Sequence, residues 1–138
     1  MRTLVRVLFV TLLLVAGCDP GVNTPKEPVW GKQPCEHCAM LLSDKEHGAQ
    51  LVTGQGDRLY FDEVGCLVAW TLEHPGSALH QWVRTADTQA WVPAETAGYE
   101  RSERTPMGFG FIAAAKPGAV SWSQVTDAVQ QKLRRQER

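Results

Sequence analysis

The segment Cys35-Glu36-His37-Cys38-Ala39-Met40 places two thiols three positions apart and a thioether two positions after the second. Thiolate and thioether are soft donors, and together they suit Cu(I), which two or three such ligands satisfy. Met107 offers another thioether from Thr105-Pro106-Met107-Gly108-Phe109-Gly110, a loop better built to present a flexible side chain than to bury one. Beyond the initiator, both methionines of the chain therefore fall in loop-like motifs. Other chemistry is open to the same residues. Cys35 and Cys38 can close a disulfide, although so small a loop constrains the unfolded chain only weakly. They can also form a redox dithiol, but a thioredoxin-like motif should follow a strand and open a helix, and this one sits near the start of the fold beside Pro34. Neither of those roles needs a thioether. Haem attachment requires a His directly after the second cysteine, and Ala39 occupies that position. Zn(II) would have to recruit His37, His47, His74 or His80, which lack the paired spacing of familiar zinc modules.

The remaining cysteines are Cys18 and Cys66. Arg2 and Arg6, an apolar run from Val7 to Val15, and the small residues Ala16 and Gly17 form a secretory signal peptide over residues 1–17. Its apolar stretch is shorter than the roughly 20 residues that span a bilayer. Leu14-Val15-Ala16-Gly17-Cys18 resembles the bacterial lipoprotein cleavage box, so Cys18 is expected to be the first mature residue and to carry the lipid. Asp19 resembles the signal that keeps lipoproteins at the inner membrane, which points to the periplasmic face of the cell membrane. Cys66 falls among apolar residues of a helical segment and reads as a buried, inert thiol.

Which elements must position the sulfur ligands follows from the periodicity. Residues 18–33, rich in Pro, Gly, Asn and Thr, read as the lipidated cysteine and a flexible tether, and residues 34–138 as one domain. Ala49 to Thr53 and Arg58 to Phe61 read as a hairpin across Gly54-Gln55-Gly56-Asp57. Asp62 is the expected N-cap of a helix carrying Val64, Leu67, Val68 and Leu72 up to His74-Pro75-Gly76. Leu79 to Thr85 is a third strand. The second half shows a strand near Ala90 to Pro93, a loop through Tyr99, a strand from Phe109 to Ala114, and a helix from Ser121 to Arg135. Ser121 and Gln124 form the capping box of that helix, and Val125, Ala128, Val129 and Leu133 its buried stripe. The class is α+β: small ββαβ-type units with an antiparallel or mixed sheet and two main helices.

Without residues 1–17 the chain keeps 15 acidic and 12 basic residues, a net charge of −3. No basic face or aromatic-basic interleaving points to nucleic acid. The basic end, Lys132 to Arg138, suits a solvated helix terminus. No paired carboxylates, nucleophile-base arrangement or phosphate-binding glycine loop stands out, so no enzyme activity is expected.

The ordered set of a lipoprotein signal, Cys35-x-x-Cys38-x-Met40, Tyr60-Phe61-Asp62-Glu63 before a helix, and Thr105-Pro106-Met107-Gly108 resembles the copper-binding lipoproteins of the NosL type. These are accessory proteins for nitrous oxide reductase. The likeness covers Pro34 to about Ala115. It implies a non-catalytic metallochaperone that carries Cu(I) to the copper centre of that reductase in denitrification, or to another copper-receiving client. It implies Cys38, Met40 and Met107 as metal ligands, with Cys35 and His37 as further candidates, and a fold of ββαβ units like that of organomercurial lyase. The glycine usual before the first methionine of this family is Ala39 here.

Overall fold

The structure, a computed structural model, describes residues 21–138; the signal peptide and Cys18 lie outside the described residues. Among those described, no helix is long and apolar enough to cross a membrane. The chain forms β1 (Ala49–Thr53), β2 (Arg58–Phe61), α1 (Val64–Glu73), β3 (Ala78–Arg84), β4 (Trp91–Pro93), β5 (Gly98–Arg101), β6 (Phe111–Ala114) and α2 (Trp122–Gln136). This is the α+β class that periodicity predicts, with antiparallel pairing in both sheets.

The larger sheet has the order β2-β1-β3-β4, so β1 is an inner strand. Every residue of β1 is buried, including Gln50, because both faces are covered. On one face lie Val64, Leu67 and Val68 of α1 within the main core. Across the other runs the segment from Gly21 to Trp30, for which composition predicts a loose tether. The Lys26 backbone exchanges two hydrogen bonds with the Gln50 amide, each 3.0 Å. Arg58 donates to the carbonyls of Gly21 and Thr24. Arg84 pairs with Glu27 while its guanidinium lies 5.4 Å from the ring centroids of both Trp30 and Trp91. These bonds give partners to the buried Gln50 amide of the inner strand β1 and to guanidinium nitrogens of Arg58 and Arg84.

The second sheet is the hairpin β5–β6. Its first strand lies where the sequence reads as a loop, since Gly-Tyr-Glu-Arg has little apolar pattern and extends only by pairing with β6. Tyr99 is fully buried, and its hydroxyl donates to the Ala94 carbonyl at 2.6 Å. The strand expected from Phe109 starts instead at Phe111, because Gly110 at φ +87 turns the chain and leaves Phe109 to pack on α1. A parallel bridge between Thr85 and Ala113 joins the two sheets. Helix α2 begins with the capping box of Ser121 and Gln124, as its sequence predicts, and buries Val125 and Val129.

Candidate metal centre

The cysteine segment is a tight loop closed by its own backbone. Cys35 N–H donates to the Met40 carbonyl at 2.7 Å, and Ala39 N–H to the Cys35 carbonyl at 2.9 Å. Pro34 and Leu41 pair as an antiparallel bridge, and the fully buried Leu42 pins the returning arm. To close this loop Ala39 takes φ +62, the left-handed region in which a side chain is strained and glycine is not. Glycine would take this conformation without strain. Alanine meets it at some cost.

Cys38, partly exposed, faces the buried Cys35, and Cys66 reaches them from the first turn of α1. The three sulfurs lie within 4.8 Å of one another. Bonds of about 2.3 Å from one metal to three thiolates put the sulfurs about 3.8–4.0 Å apart, so shifts below about 1 Å would complete such a site. Cys35, Cys38 and Cys66 can therefore hold a metal ion. This corrects the expectation that Cys66 is inert. It is buried, as its apolar neighbours require, but the sulfur is buried against two others. The chain separation from Cys38 to Cys66 hides this in the sequence, because only the hairpin before α1 brings them together.

The thiols do not share charge equally. The Cys66 thiol, hydrogen-bonded to the Cys35 sulfur, together with the backbone N–H groups of Cys38 and Asp62, pulls the Cys35 thiol down to about 5. Cys38 is pushed up, first by burial and then by the neighbouring Cys35. Cys66 is pushed up by its bond to Cys35 and by burial. Negative charge is thus favoured on Cys35 over its two neighbours, and a soft cation would displace the remaining thiol protons. Among the described residues the cysteines are free, with no disulfide.

None of the four histidines joins these sulfurs. His37 turns toward α1, its Nδ1 3.9 Å from Glu73 Oε2 and its ring 6.4 Å from that of Phe109. The resemblance makes His37 a candidate ligand, and here its ring faces Glu73 and Phe109 while the sulfur cluster consists of the three cysteines. His74 stacks on Trp70, and His80 Nε2 meets Asn23 Oδ1 at 2.8 Å. The buried His47 pairs with Asp44 at 3.4 Å.

Both methionines are exposed, Met40 at 49% and Met107 at 41%. Met40 lines a hollow of about 680 Å3 together with His47, Asp62, Asp44, Thr105 and Pro106. The start of the loop that carries Met107 thus shares the lining of this hollow with Met40. Its backbone is anchored beside the thiols: Met107 N–H and Phe109 N–H donate to the two carboxylate oxygens of Glu63, at 2.7 and 3.0 Å. Phe109 lies so close to Gly65 that a Cβ there would stand 2.1 Å from its ring. These contacts also explain the helix start. The N-cap is Glu63 rather than Asp62, and no side chain caps α1, because the Glu63 carboxylate serves the loop.

No family model matches the chain, and no curated protein or solved structure matches it either. The donors themselves carry the chemistry. Three sulfurs without an imidazole or carboxylate among them form a soft set, while the nearby hollow offers His47 Nδ1 and Asp62 Oδ1, both buried without a hydrogen-bond partner.

Proposed function

We propose that this protein is a lipid-anchored, non-catalytic carrier of Cu(I), of the NosL type, facing the periplasm. The observation that carries this reading is the triad of Cys35, Cys38 and Cys66 within 4.8 Å, with exposed thioethers on both flanking loops. Soft thiolates and thioethers favour Cu(I) over harder cations. A low coordination number suits a carrier, since a client donor can attack the open side and take the metal by successive ligand exchange. Cys38, the partly exposed thiol of the triad, is the sulfur a client reaches first, and Met40 and Met107 shepherd the ion at the mouth. The order of motifs supports nitrous oxide reductase as the client, and another copper protein would use the same exchange. The lipid on Cys18 would hold the carrier at the membrane.

A thiol-disulfide oxidoreductase is the rival reading, favoured by the depressed pKa of Cys35. The burial of that sulfur argues against it, because an attacking thiolate must reach its substrate, and Cys35 is 2% exposed. Anaerobic titration of the reduced chain, residues 19–138, with Cu(I) against a chromophoric chelator decides between them. About one tightly held Cu(I) per chain, lost in Cys38→Ser, is the expected result. Failure to compete with the chelator, together with turnover of a dithiol substrate, would overturn the carrier.

A further inference from the structure

We infer that Glu63 is a positioning residue, which ties the Met107 loop to the thiol centre. The inference rests on the reading of the triad as a metal centre with Met107 as one of its ligands. Glu63 is fully buried, yet no lysine or arginine pairs with it among the described residues. Its carboxylate instead receives the backbone N–H groups of Met107 and Phe109 across 44 and 46 residues of chain. Its own carbonyl accepts the N–H of Cys66 at 3.1 Å and of Leu67 at 3.3 Å. One residue therefore fixes the third thiol through its backbone and the second thioether through its side chain. The residue before it does the same for the first thiol, since the Asp62 N–H points at the Cys35 sulfur.

The chemistry of the clamp is specific to a carboxylate. Two N–H donors converge on one side chain, and only a group with two acceptor oxygens satisfies both. Glutamine presents one oxygen and one N–H2, so one of the two loop amides would face another donor. The helix start helps, since negative charge is favoured where the unpaired N–H groups of a helix begin. From the opposite side Lys132 of α2 donates to the Gly108 carbonyl, and its ammonium lies 5.3 Å from the Phe109 ring centroid. The loop between Thr105 and Gly110 is thus held at its N–H groups by Glu63 and at a carbonyl by Lys132. Met107 has little else to hold it, because its side chain is exposed.

Two measurements test this. Amide hydrogen exchange on the metal-free protein should show Met107 and Phe109 protected in the wild type and at least about tenfold faster in Glu63→Gln, with Cys66 and Leu67 of α1 still protected. Unchanged protection, or loss of protection throughout the chain, would overturn the clamp. Cu(I) competition then reads the link to the centre through a double-mutant cycle. Glu63→Gln should weaken Cu(I) by about the same factor as Met107→Leu, on the order of tenfold, and add almost nothing in the Met107→Leu background. An equal loss in both backgrounds would show that Glu63 acts on stability alone and would overturn the inference. If Glu63→Gln does not fold, Lys132→Ala loosens the same loop from the surface, and its smaller effect should likewise vanish in Met107→Leu. A wild type that holds no Cu(I) would defeat the copper reading, and the exchange experiment would still decide whether Glu63 holds the loop.

Discussion

The thiol centre and the hollow beside it are neighbours of opposite character. At the centre a negative charge on Cys35 would find partners: a Cys66 thiol and the N–H groups of Cys38 and Asp62 all point at its sulfur. At the hollow, His47 Nδ1 and Asp62 Oδ1 are buried with no partner, and burial pushes Asp62 up to about 6. Asp62 belongs to both, giving its N–H to the sulfur and its carboxyl to the hollow. The difference teaches that the Cys35 sulfur is preorganised for charge while the oxygen and nitrogen groups next to it are not. A donor that is already oriented lowers the cost of ordering a site when an ion binds.

The largest expected break of this comparison is chemical. Replacing Cys38 or Cys66 by Ser should weaken Cu(I) by at least about a hundredfold, because it removes one of three soft ligands, whereas His47→Gln should change it less than about threefold. Chelator competition on the three variants checks this, and equal losses would mean that the hollow shares the metal. Next comes packing. Gly65→Ala would drive a Cβ into the Phe109 ring, so a loss of about 1–3 kcal/mol is expected in denaturant unfolding, together with displacement of the Met107 loop.

A third test uses pH. The Asp62 carboxyl, raised from 3.8 to about 6 by burial first and by Cys35 second, is protonated in the folded state where the unfolded chain has already ionised. That contribution is present below about pH 4 and is lost as pH rises through 6. Cys35, depressed to about 5, acts in the other direction. Its contribution is lost as pH falls toward 5 and is complete only above the ordinary thiol value of about 8.5. Asp62→Asn should therefore stabilise the metal-free protein at pH 7 by on the order of 1 kcal/mol and flatten the fall in stability between pH 4 and 6. An unchanged profile in unfolding experiments would remove Asp62 from the account. The smallest effect is at the loop. Ala39→Gly relieves the left-handed strain and should raise stability by about 0.5–1 kcal/mol without changing the number of metal ions bound.

Much of the fold was legible because its elements are locally encoded. The short extended runs of β1 and β2, the Gly-rich turn between them, the apolar face of α1 and the Ser121–Gln124 box each act within a few residues. Strand β5 escaped, since its extension depends on β6 and on the Val120 backbone, which exchanges hydrogen bonds with Tyr99. The segment from Gly21 to Trp30 escaped for a related reason. Its composition is that of a linker, and only polar side chains of the sheet, Gln50, Arg58 and Arg84, give it a place.

The sequence by itself determined which soft donors are present and how close they lie along the chain: Cys35, Cys38 and Met40 fall within six residues. Only the tertiary structure decided that Cys66 belongs with Cys35 and Cys38 and that His37 does not, because both outcomes depend on where α1 lies relative to the loop. Glu63 shows the same division. Its identity is local, beside Asp62 at a helix start, but its role is set by the N–H groups of a loop more than 40 residues away, which arrive only when the chain has folded.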